Sequence, residues 1–121
     1  MNILSLNHVA LHVSDVSRSI DFYGKKLGFR QIQRPEFEFS GAWFDIGQGQ
    51  QLHLIGGRTV GVHSSNRGNH FAIEVKSIHQ TADFLRAQII KFMGPKERPD
   101  GAWQIFIIDP DGHFVEFCEL P

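Results

Sequence analysis

The feature that most constrains this chain is an internal repeat. Residues 7–23 read NHVALHVSDVSRSIDFY, and residues 69–85 read NHFAIEVKSIHQTADFL. At a displacement of 62 residues, Asn7/Asn69, His8/His70, Ala10/Ala72, Val13/Val75, Asp21/Asp83 and Phe22/Phe84 are identical. Leu11/Ile73, Val16/Ile78 and Ser19/Thr81 are close replacements. Gly41-Ala42-Trp43 recurs as Gly101-Ala102-Trp103, and residues 49–54 align with 112–117 at a displacement of 63. Three matching blocks in the same order mark a duplication, so both halves should fold alike. A length of 121 residues suits one domain of ordinary size. It divides into a module over about 3–56, a linker over 57–68 rich in Gly, Ser and Asn, and a second module over about 69–119.

Each half carries the same periodicities. Over residues 4–13, Val9, Leu11 and Val13 alternate with His8, Ala10 and His12, as in a half-buried strand. Residues 69–75 repeat this, with Phe71, Ile73 and Val75 opposite His70, Ala72 and Glu74. Val16, Ile20, Tyr23 and Leu27 then fall at helical spacing, behind the capping candidates Ser14 and Asp15 and before Gly28. Ile78, Ala82, Leu85 and Ile89 match them, with Ser77 before and Gly94-Pro95 after. Three short strands follow in each half, near 29–34, 41–47 and 51–56, then 92–97, 103–109 and 113–119. Gly47-Gln48-Gly49 and Asp109-Pro110-Asp111-Gly112 supply the turns before the last strands. The expected fold is α+β, a βαβββ module made twice.

The strand parities place four ligand-capable side chains at duplicated positions. The first module offers His8 on its first strand and His53 on its last; the second offers His70 and Glu116. His53 lies between Leu52 and Leu54, and Glu116 between Val115 and Phe117, so all four should point to the open face of the sheet. Leaving four such groups buried and unpaired would cost several kcal/mol each, on the order of 10 kcal/mol together. Three imidazoles and a carboxylate form an N3O set suited to Zn, Ni, Co, Fe(II) or Mn rather than Ca or Mg. Four of the seven histidines, His12, His63, His79 and His113, read more simply as hydrogen-bonded or exposed residues.

Composition narrows the function further. Twelve basic against thirteen acidic residues exclude a strongly basic nucleic-acid surface. No apolar run is long enough to span a membrane, and the opening MNILSLNHV is too polar for a signal peptide. With Cys118 the sole cysteine, no internal disulfide is possible, and a reducing, cytoplasmic setting is expected. The partner these features favour is a small molecule.

The segment NHVALHVSDVSRSIDFYGKKLGF, the QLHL strand, the NHFAIEV strand and IDPDGHFVEF resemble the vicinal oxygen chelate superfamily, over nearly the whole chain. That group includes glyoxalase I, methylmalonyl-CoA epimerase, extradiol dioxygenases, fosfomycin-resistance proteins and bleomycin-binding proteins. The resemblance implies βαβββ modules paired into an incomplete mixed-sheet barrel around a metal cleft, with His8, His53, His70 and Glu116 as ligands. It also implies a homodimer whose sites are shared between subunits. The chemistry implied is lyase or isomerase chemistry of the glyoxalase type on a substrate chelating through two oxygens, with Glu116 as first choice for the base and His53 as second. Where glyoxalase I carries an arginine and an asparagine for glutathione, this chain has His12 and Gly57, which argues against glutathione. His12, Arg98 and Trp103 remain as residues that would touch substrate. Competing readings are a fosfomycin-modifying transferase or extradiol-type dioxygenase built on His8, His70 and Glu116, and a drug-sequestering binding protein.

Overall fold

Alternation along the strands decides how each half is layered. The computed structural model describes residues 1–121 and comprises two units, Met1–Val60 and Gly61–Pro121. Each is an α+β module with its own four-stranded mixed sheet.

In the first unit, β1 (His8–His12) leads into α1 (Val16–Ile20) and a π-helical turn (Asp21–Lys26), followed by β2 (Arg30–Ile32), β3 (Gly41–Asp45) and β4 (Gln51–Ile55). The sheet order is β1-β4-β3-β2, with β1 parallel to β4 and the other pairs antiparallel. Ala10 pairs with His53, and His53 with Trp43. One face therefore carries His8, His12, His53 and Trp43. On the other face Leu11, Leu52, Leu54, Ala42 and Phe44 are buried, together with Phe22, Tyr23 and Leu27. Each fully buried large side chain contributes about 1.5–3 kcal/mol relative to exposure.

The single helix expected over Val16 to Leu27 changes winding halfway. Asp15 caps it as expected, its carboxylate accepting the Arg18 N–H at 3.1 Å. The Leu27 N–H then donates to the Phe22 carbonyl, five residues back, at 2.9 Å, a π-type bond. The wider turn shifts the buried stripe to Ser19, Phe22, Tyr23 and Leu27 and leaves Val16 and Ile20 only half-buried.

The second unit contains β5 (Phe71–Glu74), α2 (Ile78–Ala87), β6 (Met93–Glu97), β7 (Trp103–Ile108) and β8 (Phe114–Glu119). Its order, β5-β8-β7-β6, repeats the first. Ser77 caps α2, and Glu119 Oε2 accepts the Ile78 N–H at 2.6 Å, fixing the helix start to β8. Ile78, Ala82 and Leu85 are buried as expected, but Ile89 is 90% exposed. The helix ends at Ala87, Ile89 takes φ +57°, and the chain reversal buries Ile90 instead. In the Asp109-Pro110-Asp111-Gly112 turn, Asp109 Oδ1 accepts the N–H groups of Asp111, Gly112 and His113 at 2.9, 3.0 and 2.9 Å. These three N–H donors satisfy a carboxylate that is nearly fully buried.

The strand register corrects one element of the repeat. Trp43 lies opposite His53, and Phe106 lies opposite Glu116. Phe106, not Trp103, is therefore the structural counterpart of Trp43. The second Gly-Ala-Trp precedes its expected place by three residues, and this shifts the parity of its tryptophan to the other face.

Candidate metal centre

The four side chains singled out in the sequence come together as two pairs. In the first unit the rings of His8 and His53 stack, with centroids 4.1 Å apart and 14° between planes. Trp43 covers the other side of His53 at 3.9 Å and 1°. Cross-strand pairing explains this sandwich, since His53 sits between β1 and β3 and inherits a neighbour from each. Gln51 Oε1 accepts a hydrogen bond from His53 Nε2 at 2.8 Å, and Asn7 Oδ1 accepts one from His8 Nδ1 at 2.8 Å. Burial, then the neighbouring His8 and the Arg34 cation, hold the His53 pKa below its ordinary value of 6.5. That favours the neutral imidazole, the form that ligates metals.

In the second unit Glu116 is 3% exposed, yet both of its oxygens have partners. Oε2 accepts from His70 Nε2 at 3.0 Å, and Oε1 accepts from Gln104 Nε2 at 2.9 Å. Arg98 Nη1 stands 3.7 Å from Oε1. The other ring nitrogen of His70 faces the Gly68 carbonyl at 3.1 Å, the second contact that commonly orients a metal-binding imidazole. Arg98 also forks onto Asp100, with Nε–Oδ1 at 3.0 Å and Nη2–Oδ2 at 2.6 Å. That hydrogen-bonded contact, helped by the Ala102 N–H, pulls the Asp100 pKa down to about 2. Beside Glu116 an open cleft of about 380 Å³ is lined by Asn66, Arg67, Lys96, Arg98, Gln104 and Phe106, among others.

Neither unit by itself gathers three His, Cys, Asp or Glu side chains closely enough to hold an ion. Each unit thus contributes two donors, His8 with His53 and His70 with Glu116, both on the face away from the apolar core.

The residues expected to touch substrate are distributed differently. Arg98 lies beside Glu116. His12 is exposed on the His53 face, its Nε2 hydrogen-bonding to the Gly56 carbonyl oxygen at 3.1 Å. A Cβ placed on Gly57 would stand 4.0 Å from that nitrogen. The two positions that depart from the glutathione pattern are therefore neighbours. Gly57 adopts φ +89°, a left-handed conformation that glycine takes freely and asparagine tolerates better than most. Trp103 shares its face with Ile105 and Ile107 and meets His79 of α2 at 5.7 Å. It is a helix-side residue, directed away from Glu116.

Sequence reasoning passed over Gln104 and the Arg34 loop. Gln104 was legible as the one polar residue in phase with Cys118 and Glu116 on a strand otherwise apolar. The arrangement of Arg34, Phe37 and Phe39 had no such periodic signal, because it lies on a connecting segment.

Comparison with known proteins agrees with this architecture. Residues 5–117 match the family model for the Glyoxalase/Bleomycin resistance protein/Dioxygenase superfamily. A protein described as glyoxylase I 4, from Arabidopsis thaliana, is 30% identical, over 98% of this chain and 72% of its own length. A lactoylglutathione lyase from Haemophilus influenzae is 31% identical, over 96% of this chain and 93% of its own. The crystal structure of a glyoxalase family protein from Bacillus anthracis superposes with a TM-score of 0.84 at 26% identity, covering 100% of this chain and 98% of that one.

Proposed function

Because the chain belongs to the Glyoxalase/Bleomycin resistance protein/Dioxygenase superfamily, we propose that it is a metal-dependent lyase or isomerase of the glyoxalase type, acting on a small substrate that presents two oxygens to the ion. The observation that carries this reading is the occurrence of two donor pairs, His8–His53 and His70–Glu116, at corresponding strand positions of two duplicated units. Imidazole and carboxylate donors fit Zn, Ni, Co, Fe(II) or Mn. A pair alone leaves most of the coordination sphere to water, so the complete set is proposed to form in a homodimer whose sites take donors from both subunits. When bound, the ion would supply Lewis-acid stabilisation of negative charge on a substrate oxygen.

The protein's own groups handle the proton. Glu116 is the proposed base, a buried carboxylate whose Oε1 is held by the neutral amide of Gln104. That donor fixes the carboxylate's orientation without bringing a charge of its own. Arg98 stands 3.7 Å from Oε1, and His53 is the second candidate for the role.

Although relatives are lactoylglutathione lyases, the proposed substrate is not the glutathione adduct of methylglyoxal. His12 and Gly57 stand where fixed donors for the tripeptide's charged ends would be. Missing partners for a charged substrate cost several kcal/mol, where about 1.4 kcal/mol already changes a rate tenfold.

Two measurements test the proposal. Metal analysis of protein purified without added metal should find a divalent transition ion, largely lost in H8A and H70A. Protein that binds none of the five candidate metals would end the metal reading. Robust turnover of the glutathione hemithioacetal, abolished by E116Q, would refute the substrate assignment while supporting the carboxylate's role.

A further inference from the structure

Apart from the four donors, the first unit holds a pinned cation that lacks an ion pair. Arg34, two residues past the end of β2, is half-buried. Its guanidinium lies 4.7 Å from the ring centroid of Phe37 and 5.0 Å from that of Phe39, and Nη2 donates to the Phe39 carbonyl at 2.8 Å. It rests against β3: a Cβ on Gly41 would stand 3.0 Å from both Nε and Nη2 of Arg34, and closer still to the Leu54 carbonyl oxygen. Glu36 and Glu38 share the loop, yet neither forms an ion pair with Arg34. The rings continue toward the candidate metal centre. Phe37 stacks on Phe39 at 5.0 Å and meets Trp43 at 6.2 Å, and Trp43 stacks on His53. Phe37 and Phe39 nevertheless remain 45% and 46% exposed.

These features favour one kind of ligand. A guanidinium already fixed by two rings and a carbonyl loses little freedom when it binds an anion, and its planar fork matches a carboxylate. Two half-exposed phenyl rings beside it gain by being covered with a flat apolar group. We infer that Arg34, Phe37 and Phe39 form a recognition site for a carboxylate carried on an aryl body, and that this site holds the anionic end of the substrate. The second half of that inference rests on the proposed function; the binding itself does not.

The test uses metal-free, folded protein and three probes: benzoate, benzamide (the same shape without the charge) and acetate (the charge without the ring). Titration is followed by ¹⁵N NMR at the Trp43 indole and the Arg34 side-chain N–H, with Trp103 on the helix side of its own unit as internal reference. Benzoate should bind at least tenfold more tightly than either benzamide or acetate. R34Q should erase the preference for benzoate over benzamide, and R34K, which keeps the charge without the fork, should weaken benzoate several-fold. Equal affinity for benzoate and benzamide in the wild type would overturn the anion assignment, and equal affinity for benzoate and acetate the aryl assignment. Undiminished binding in R34Q would remove Arg34 from the site. Should R34Q fail to fold, the wild-type comparison and R34K still decide. A failed metal analysis would leave a positive benzoate result standing, and the reverse, so the two readings fall separately.

Discussion

Glu116 offers a direct measurement of how tightly the candidate centre is tied together before any ion arrives. It is almost wholly buried and accepts from His70 at 3.0 Å and from Gln104 at 2.9 Å. In E116A both donors lose their acceptor and a small void replaces the carboxylate. With hydrogen bonds to charged groups contributing about 1.5–3 kcal/mol each, and some relief by entering water, the expected loss is about 2–4 kcal/mol. E116Q should behave differently. Its amide oxygen can take the place of Oε1 and accept from Gln104. Its NH₂ can donate to His70 Nε2, provided the His70 proton moves to Nδ1, where the Gly68 carbonyl waits at 3.1 Å. Only the attraction to Arg98 is lost, so the expected cost is below about 1 kcal/mol. With a urea slope of about 2 kcal/mol per molar, the E116A midpoint should fall by roughly 1–2 M and that of E116Q by less than about 0.5 M. Metal-free protein at one fixed concentration is the correct sample. If the two variants are equally destabilised, the charge rather than the hydrogen-bond pattern holds this network together. If E116A costs nothing measurable, the network is not structural at all.

Ser19 Oγ is buried without a hydrogen-bond partner, so S19A should stabilise the fold by about 1 kcal/mol and raise Tm by a few degrees, roughly 3–5 °C; a lower Tm would show that the hydroxyl is satisfied. Asp100 titrates at about 2 instead of its ordinary 3.8, so its stabilising contribution is complete above pH 3.8 and is lost as the pH falls through 2. An NMR midpoint at or above 3.8 for Asp100 would contradict the Arg98 fork. For His53 the sign is opposite in origin: its pKa lies below 6.5, so the unfolded chain binds the proton first and stability falls as the pH drops below 6.5. R34Q should move the His53 midpoint upward, and an unchanged midpoint would mean that the Arg34 charge does not act there.

Much of this architecture was legible because two periodicities ran together through duplicated segments. Parity placed His8, His53, His70 and Glu116 on the faces they occupy, and polar Ser77 and Asp15 marked the helix starts. The same logic failed where local geometry departed from an ideal repeat. A π-type turn moved the buried stripe to Ser19 and Phe22, and a left-handed residue at the end of α2 exchanged Ile89 for Ile90. The second Gly-Ala-Trp matched in letters while its register differed by three, so Trp103 turned toward α2 and Phe106 took the place facing Glu116. The cation on Phe37 and Phe39 was out of reach of periodicity altogether. It depends on an arginine from a connecting loop lying against Gly41 of the neighbouring strand.

The parallel pairing of β1 with β4 leaves β1, at the margin of its sheet, with a hydrogen-bonded neighbour on one side only. In such a strand successive amides point alternately toward the neighbour and away from it. The N–H of Val13 is directed inward, to the Ile55 carbonyl at 2.7 Å, so by alternation those of Val9 and Leu11 face β4 and that of Ala10 faces outward. Deuterium uptake at Ala10 relative to Leu11 therefore reports whether another strand or subunit has covered that margin. Since His8 lies on the same strand, comparing that uptake with and without an added divalent ion would show whether ion binding and closing of the edge go together, without any chemical turnover.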